Sequence, residues 1–382
     1  MMYSSVHLIF IQPIMRIYCL LLFLTLSYSN LKGQQTLLFI GSYNIDKELP
    51  GIYVYRFDNK TGMLAKVTEY SGVLNPSFLA LSANGKYLYA CTESRAGANG
   101  SVSSFKFDKQ LTLIGQQSTG AANPVYVALD KSERWLLSGS YTGGGTTAFP
   151  LNESGEISKA AQLILYRDSS KKPQQKSSHI HSVNFSPNGR NVYLPDLGSD
   201  KIRTYSFNPM GKTPLTNESF VRTVPGSGPR HMAFHPNGRF AYCLSELSGA
   251  VTVYSINGPK LDSIQEIDLH SSSHDLYSSA DIHISPDGLF LYASNRGEEN
   301  NIAILKVDTS SGFLKNVGYQ STGGDHPRNF AIDPSGKFLL VANEYTGNVN
   351  VFRRNIKTGL LSATASKIFI KGPSCLLMKT YN

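Results

Sequence analysis

GPRHMAFHPNGRFAYCLSEL, residues 228–247, decides the fold. Apolar and polar residues alternate through PRHMAF, an Asn-Gly turn follows, and FAYCLS opens a second apolar run. Two short runs joined by such a turn read as a β-hairpin, because Asn-Gly accepts the positive φ that a tight turn demands. The stretch recurs as NPSFLALSANGKYLYACTE (75–93), HSVNFSPNGRNVYLPDLG (181–198), ADIHISPDGLFLYASNRG (280–297) and PRNFAIDPSGKFLLVANEY (327–345). A degenerate copy, NPVYVALDKSERWLLSGSY (123–141), carries Glu133 where the others carry the turn glycine. With Gly85, Glu133, Gly189, Gly238, Gly288 and Gly336 as equivalents, the spacings are 48, 56, 49, 50 and 48 residues.

A third strand candidate follows each regular hairpin, such as SVSSFKFD, KIRTYSFN or NIAILKVD, and usually a fourth, such as GFLKNVGY or GLLSATAS. Four short strands per repeat of this length predict propeller blades. The tail GPSCLLMK (372–379) matches a first strand, while TLLFIGSY (36–43) and GIYVYRFD (51–58) match a second and third. Together they predict one composite blade, with both termini closing the ring. The expected architecture is all-β: a seven-bladed propeller of four antiparallel strands per blade, as a single domain over residues 36–382.

Composition agrees with a packed domain. Of 382 residues, 41% are hydrophobic and 16% charged, which excludes a disordered chain. The N-terminal MRIYCLLLFLTLSYSNLKGQQ (15–35) has a basic start at Arg16, an apolar core and a small polar end. That layout predicts a secretory leader over residues 1–35, with Met15 as an alternative start, and hence an exported protein without a membrane span after processing. Losing Arg16 and Lys32 lowers the formal net charge of +9 by two. Cys91, Cys243 and Cys375 each lie in an apolar run and read as small core residues rather than a disulfide framework.

The alignment yields two rings of side chains. Eight residues before each turn position, at the start of the first strand, stand Ser77, Val125, His181, Arg230, Ala280, Arg328 and, by alignment, Ser374. Eight residues after it, at the end of the second strand, stand Glu93, Tyr141, Leu197, Glu246, Arg296, Glu344 and Tyr43. Antiparallel pairing places both rings at one mouth of the central channel. Charged groups from several blades converge there in a chain with few charges, and a pocket with histidine, arginine and glutamate suits acid–base work on a small anion. The plainer alternative is that these charges cap strand ends and pair between blades, although buried ion pairs are costly.

NPSFLALS, SSHIHSVNFSPNGRNVYLPDLGSD, GPRHMAFHPNGRFAYCLSEL, ADIHISPDGLFLYASNRG and PRNFAIDPSGKFLLVANE together resemble the propeller lactonase family, over about residues 37 to 379. That family includes bacterial 6-phosphogluconolactonases and fungal carboxymuconate-lactonizing enzymes. The resemblance implies a seven-bladed propeller and a channel-mouth site built from His181, Arg230, Glu246 and Arg296, with no cofactor. Arg328, Glu93, Glu344, His231 and Tyr43 are the expected substrate-binding residues. The implied activity is hydrolysis of a sugar lactone, of the 6-phosphogluconolactonase kind. Export sets this chain apart from members that meet a phosphorylated substrate in the cytosol. Two alternatives stand beside it: a non-enzymatic platform binding a protein or glycan, and a cyclase or lactonase acting on a muconate-type lactone.

Lactone hydrolysis needs an activated water and a stabilised oxyanion. Either His181 serves as base with Glu246 as its acid partner, or the roles are reversed; Arg230 and Arg296 hold negative charge. His179 and His181 lack companions at metal-ligand spacing, so no metal is expected. Gly143-Gly144-Gly145 lacks the following Lys-Ser/Thr of a phosphate loop. Lys171-Lys172 and Arg353-Arg354 are too short as basic runs to predict nucleic-acid binding. HSSSHDLYSS (270–279) reads as a connection between blades, and Asp281 and His283 fall near the channel. A monomer acting on a small anionic lactone is the expected form.

Overall fold

Strands β1 (Gln35–Ser42), β2 (Ile52–Phe57) and β3 (Leu64–Tyr70) form one sheet with the last strand of the chain, β28 (Pro373–Tyr381), in the order β28-β1-β2-β3. This is the composite blade. β1 pairs antiparallel with β28 from Gln35–Tyr381 to Ser42–Pro373, and the Thr36 and Thr380 hydroxyls meet at 2.9 Å. The computed structural model describes residues 34–94, 98–272 and 276–381. Among these, 28 strands make seven four-stranded antiparallel sheets, each built from strands consecutive in sequence except at the closure. The innermost strands of the other six blades are β4 (Pro76–Leu81), β8 (Pro124–Leu129), β12 (Asn184–Phe185), β16 (Pro229–Phe234), β20 (Ser279–Ile284) and β24 (Pro327–Ile332). The leader expected over residues 1–35 lies outside the described residues except for Gln34 and Gln35, and Gln35 already belongs to β1.

Burial explains why the second strands read as unbroken apolar runs. FAYCLS (240–245), FLYASN (290–295) and FLLVAN (338–343) are buried at every position, because each is covered on both faces by neighbouring blades. The outer strand Leu215–Arg222 buries only Leu215 fully. Blade-to-blade packing is aromatic and aliphatic. Phe57 meets Phe338 edge-to-face at 5.4 Å, for example, in a cluster with Leu38, Ile40 and Leu340. Cys91, Cys243 and Cys375 are buried free thiols within these interfaces.

The repeated turn differs from a two-residue Asn-Gly hairpin. In the blade of β16 His235 N–H donates to Phe240 O at 3.0 Å and Gly238 N–H to His235 O at 2.9 Å, which makes a four-residue loop. Only the glycine takes a positive φ, +73°, while Asn237 Oδ1 accepts the Arg239 N–H at 2.9 Å. This is a turn followed by one left-handed residue, a geometry common in longer hairpin loops. Glu133 replaces that glycine yet takes the same conformation, φ +54°.

The 56-residue spacing before Gly189 is taken up by the segment between β11 (Gln162–Leu165) and β12. It carries a 3-10 turn, Pro173–Gln175, anchored by Gln175 Nε2–H bonds to Leu197 O and Asp200 Oδ1. Lys172 Nζ also reaches Leu247 O, at 2.7 Å. β12 is only two residues long because its partner strand carries Pro195 opposite His181, which has no N–H to give the ladder.

Candidate active site

Five of the seven first strands enter the channel by the same backbone device. Asn75, Asn123, Gly228, His326 and Gly372 all precede a proline and all have positive φ, between 43° and 65°. The pairing register then slips by one residue, between Pro76 and Phe78, Pro124 and Tyr126, Pro229 and His231, and Pro327 and Asn329. The residue passed over is Ser77, Val125, Arg230 or Arg328, members of the first ring. A bulged residue is released from the ladder and its side chain re-aimed. Here the release turns it toward the axis. The second ring arises more simply: Glu93, Glu246, Arg296 and Glu344 each stand immediately after a second strand.

The two rings enclose a cavity of about 310 Å³ at the channel mouth. Tyr43, Glu93, His181, Glu246, Arg296, Arg328 and Glu344 line it, as do Val125, Tyr141 and Asn123. Glu246 is its centre. Arg230 Nε donates to Oε2 at 2.8 Å, Arg296 Nη2 lies 3.1 Å from Oε1, and His181 Nε2 is 3.9 Å from Oε2. Across the mouth Arg328 lies 3.7 Å from Glu93 and 3.8 Å from Glu344, with its guanidinium over the Tyr43 ring. Three guanidiniums thus face three carboxylates.

Burial sets the protonation states. It would raise the Glu246 carboxyl, but Arg296, Arg230 and Arg328 outweigh it and hold that group below its ordinary value. Burial, with Arg230 beside it, pushes His181 well below 6.5, so its imidazole is neutral near pH 7. His181 Nδ1 is buried and has no hydrogen-bond partner among the described residues. Burial also brings Arg230 down to about 10 and lifts the Tyr141 phenol to about 12.

Arg230 is only 1% exposed and lies beneath the mouth cavity rather than in its wall. His231 lies deeper again. Its Nδ1 meets Asp281 Oδ1 at 2.8 Å and its Nε2 faces Arg230 Nη1 at 3.2 Å. With Asp281 accepting the Nδ1–H hydrogen bond, Nε2 is left as the acceptor for Arg230. His231, expected to bind substrate, therefore contacts Arg230 instead and fixes its orientation. Asp281 is itself held by His283 Nε2 at 2.9 Å and Asn329 Nδ2 at 2.5 Å. His179 stacks on Tyr141 with ring centroids 4.2 Å apart and bonds Tyr141 O, which makes it a support for the wall. Leu197 and Ala280 belong to the rings by position, but both are fully buried.

His326 was not foreseen. Its Nε2 lies 3.2 Å from Arg296 Nη1 and 3.7 Å from Glu344 Oε2, and its ring stacks on Tyr345. The signal was present: it occupies the residue before proline in the same device as Asn75, Asn123, Gly228 and Gly372. Among the described residues no group of three or more His, Cys, Asp or Glu side chains is placed to hold a metal ion.

Comparison with known proteins agrees with this architecture. The family model described as "Lactonase, 7-bladed beta-propeller" matches residues 37–378. A 6-phosphogluconolactonase of Formosa agariphila is 42% identical over 352 residues, covering 90% of this chain and 100% of that one. The 6-phosphogluconolactonase of Bacillus subtilis is 32% identical, covering 85% and 93%. Among solved structures, the periplasmic gluconolactonase of Pseudomonas aeruginosa superposes with a TM-score of 0.86 at 34% identity, covering 91% of this chain and 99% of that one. The chain belongs to the seven-bladed propeller lactonase family.

Proposed function

We propose that this protein is an exported lactonase that hydrolyses a gluconate-type sugar 1,5-lactone, with or without a 6-phosphate, at the channel mouth. The observation that carries the proposal is the Glu246 carboxylate held between Arg230 and Arg296 with neutral His181 3.9 Å away. Membership of the family and the names of its relatives supply the reaction class. Export rests on the leader-like segment and on the periplasmic relative.

In this mechanism His181 accepts the proton of a water as its oxygen bonds to the lactone C1. The ionised Glu246 stabilises the imidazolium that forms, a role that replaces the acid function expected from the sequence, because the resting carboxyl carries no proton. Arg296 and Arg328 stabilise the tetrahedral oxyanion. Breaking C1–O5 expels the ring oxygen, which takes the proton back from His181, and the aldonate leaves with one proton released to solvent. Proton release from glucono-1,5-lactone, its 6-phosphate and a muconolactone tests the proposal. Turnover of a gluconate-type lactone above the spontaneous rate is expected; turnover of none of the three leaves only the binding-platform alternative.

A further inference from the structure

A second, larger cavity of about 1070 Å³ opens beside the mouth, and Tyr43 and Glu344 line both. We propose that this groove is a glycosyl subsite. The substrate is then the 1,5-lactone of an oligosaccharide aldonic acid, with its lactone ring in the mouth and the next sugar in the groove. This inference rests on the lactonase reading above and adds the substrate class.

The groove is built of side chains that a soluble surface rarely gathers. Ile45 is 73% exposed, Phe369 70%, Tyr345 66% and Leu74 39%. Apolar groups concentrated in a concavity mark a ligand site. Tyr345 is also pre-set: it stacks on His326 at 4.0 Å with a 17° interplanar angle, so its ring is held in place at the rim of the catalytic mouth. The rest of the lining is polar, with Asn44, Asn75 and Thr346, and carries one ammonium, Lys371, and the Glu344 carboxylate shared with the mouth. A pyranose matches this mixture, since it offers an apolar C–H face to an aromatic ring and hydroxyls around its edge. A phosphate would find a single cation in the groove, and in the mouth three guanidiniums already matched by three carboxylates.

The chemistry stays confined to the mouth. Water adds to C1, the C1–O5 bond breaks, O5 is protonated, and the glycosidic bond to the second sugar is untouched. The groove acts on recognition alone, so its removal affects only the extended substrate.

The test measures kcat/KM by proton release for cellobiono-1,5-lactone and glucono-1,5-lactone with wild type, Phe369→Ala and Ile45→Ala. Both residues are exposed and make no contact with the reacting groups. The expected result is a wild-type preference for the disaccharide lactone of about tenfold, the scale of one or two aromatic contacts. Phe369→Ala is expected to erase most of that preference while gluconolactone turnover is unchanged, and Phe369→Trp to restore it. Turnover of gluconolactone with no preference for the disaccharide, or a preference that survives both alanine substitutions, overturns the subsite alone. Turnover of neither lactone overturns the lactonase reading and the subsite with it.

Discussion

Arg230 lies directly under Glu246, with Nε 2.8 Å from Oε2, and it is closed off from solvent while the carboxylate faces the cavity. The pair therefore joins the channel interior to the site. Arg230 is backed in turn by His231 and Asp281, so Glu246 stands at the end of a chain of fixed groups. Glu246→Gln keeps the shape and removes the charge that stabilises both guanidiniums and a protonated His181. The expected loss in kcat/KM is about 10²- to 10³-fold, the cost of removing one preorganised charge from such a site. Leaving Arg230 uncompensated also lowers stability, by up to about 3 kcal/mol, as for a broken buried pair. Kinetics on the folded protein and thermal unfolding separate the two effects.

The acid limb of the rate profile is a second test. A histidine base with its ordinary pKa near 6.5 produces an inflection there. His181 lies well below that value and Glu246 below its own, so both keep their working protonation states through mild acid. After subtraction of spontaneous hydrolysis, kcat/KM is expected to change by less than about twofold between pH 5.5 and 7.5. An inflection inside that window contradicts a neutral resting His181.

His326 makes a third prediction because it serves two masters. Its backbone is left-handed, φ +62°, where other blades place Gly228, Gly372, Asn75 or Asn123. Asparagine tolerates that region better than histidine does, so His326→Asn relieves strain of the order of 1 kcal/mol or less. Burial, Arg296 and Arg328 also depress the His326 pKa to about 3. The unfolded chain takes up that proton near pH 6.5 and the folded chain does not, so stability is lost as pH falls from 6.5 toward 3. The variant lacks this loss. Its melting temperature relative to wild type is expected to be higher at pH 4.5 than at pH 7, whereas kcat/KM falls because Arg296 loses its neighbour.

The propeller and both rings were legible because a repeat exposes equivalent positions without any knowledge of contacts. Ring positions proved to be bulges and strand ends, and sequence spacing counts both faithfully. Depth was not legible. Arg230 and His231 are adjacent in sequence, yet one contacts Glu246 and the other Asp281, because successive residues around a bulge need not alternate in the usual way. The Asn-Gly turn was misread in its geometry for a related reason: an Asn side chain that accepts the N–H two residues on does the work a second left-handed residue would do. His326 escaped because its role depends on a backbone angle, and residue type alone points to that only weakly.

Closure supplies the last prediction. β28 is the innermost strand of its blade, and it bridges β1 on one side and the channel on the other: Ser374 Oγ donates to Ser77 O at 3.0 Å, and Asn329 Oδ1 accepts the Leu376 N–H at 2.6 Å. Cys375 and Leu376 are buried in two different inter-blade clusters. Without β28 the ladder edge of β1 is left unpaired, and two blades lose the surface that covers them. A chain ending at Gly372 is therefore expected to lose cooperative unfolding altogether, rather than to melt a few degrees lower, and to aggregate through the open β1 edge. Adding a peptide of residues 373–382 in trans is expected to recover part of the folded signal. A truncated chain that unfolds cooperatively near the wild-type temperature would show that six blades and a remnant hold the ring without the C-terminal strand.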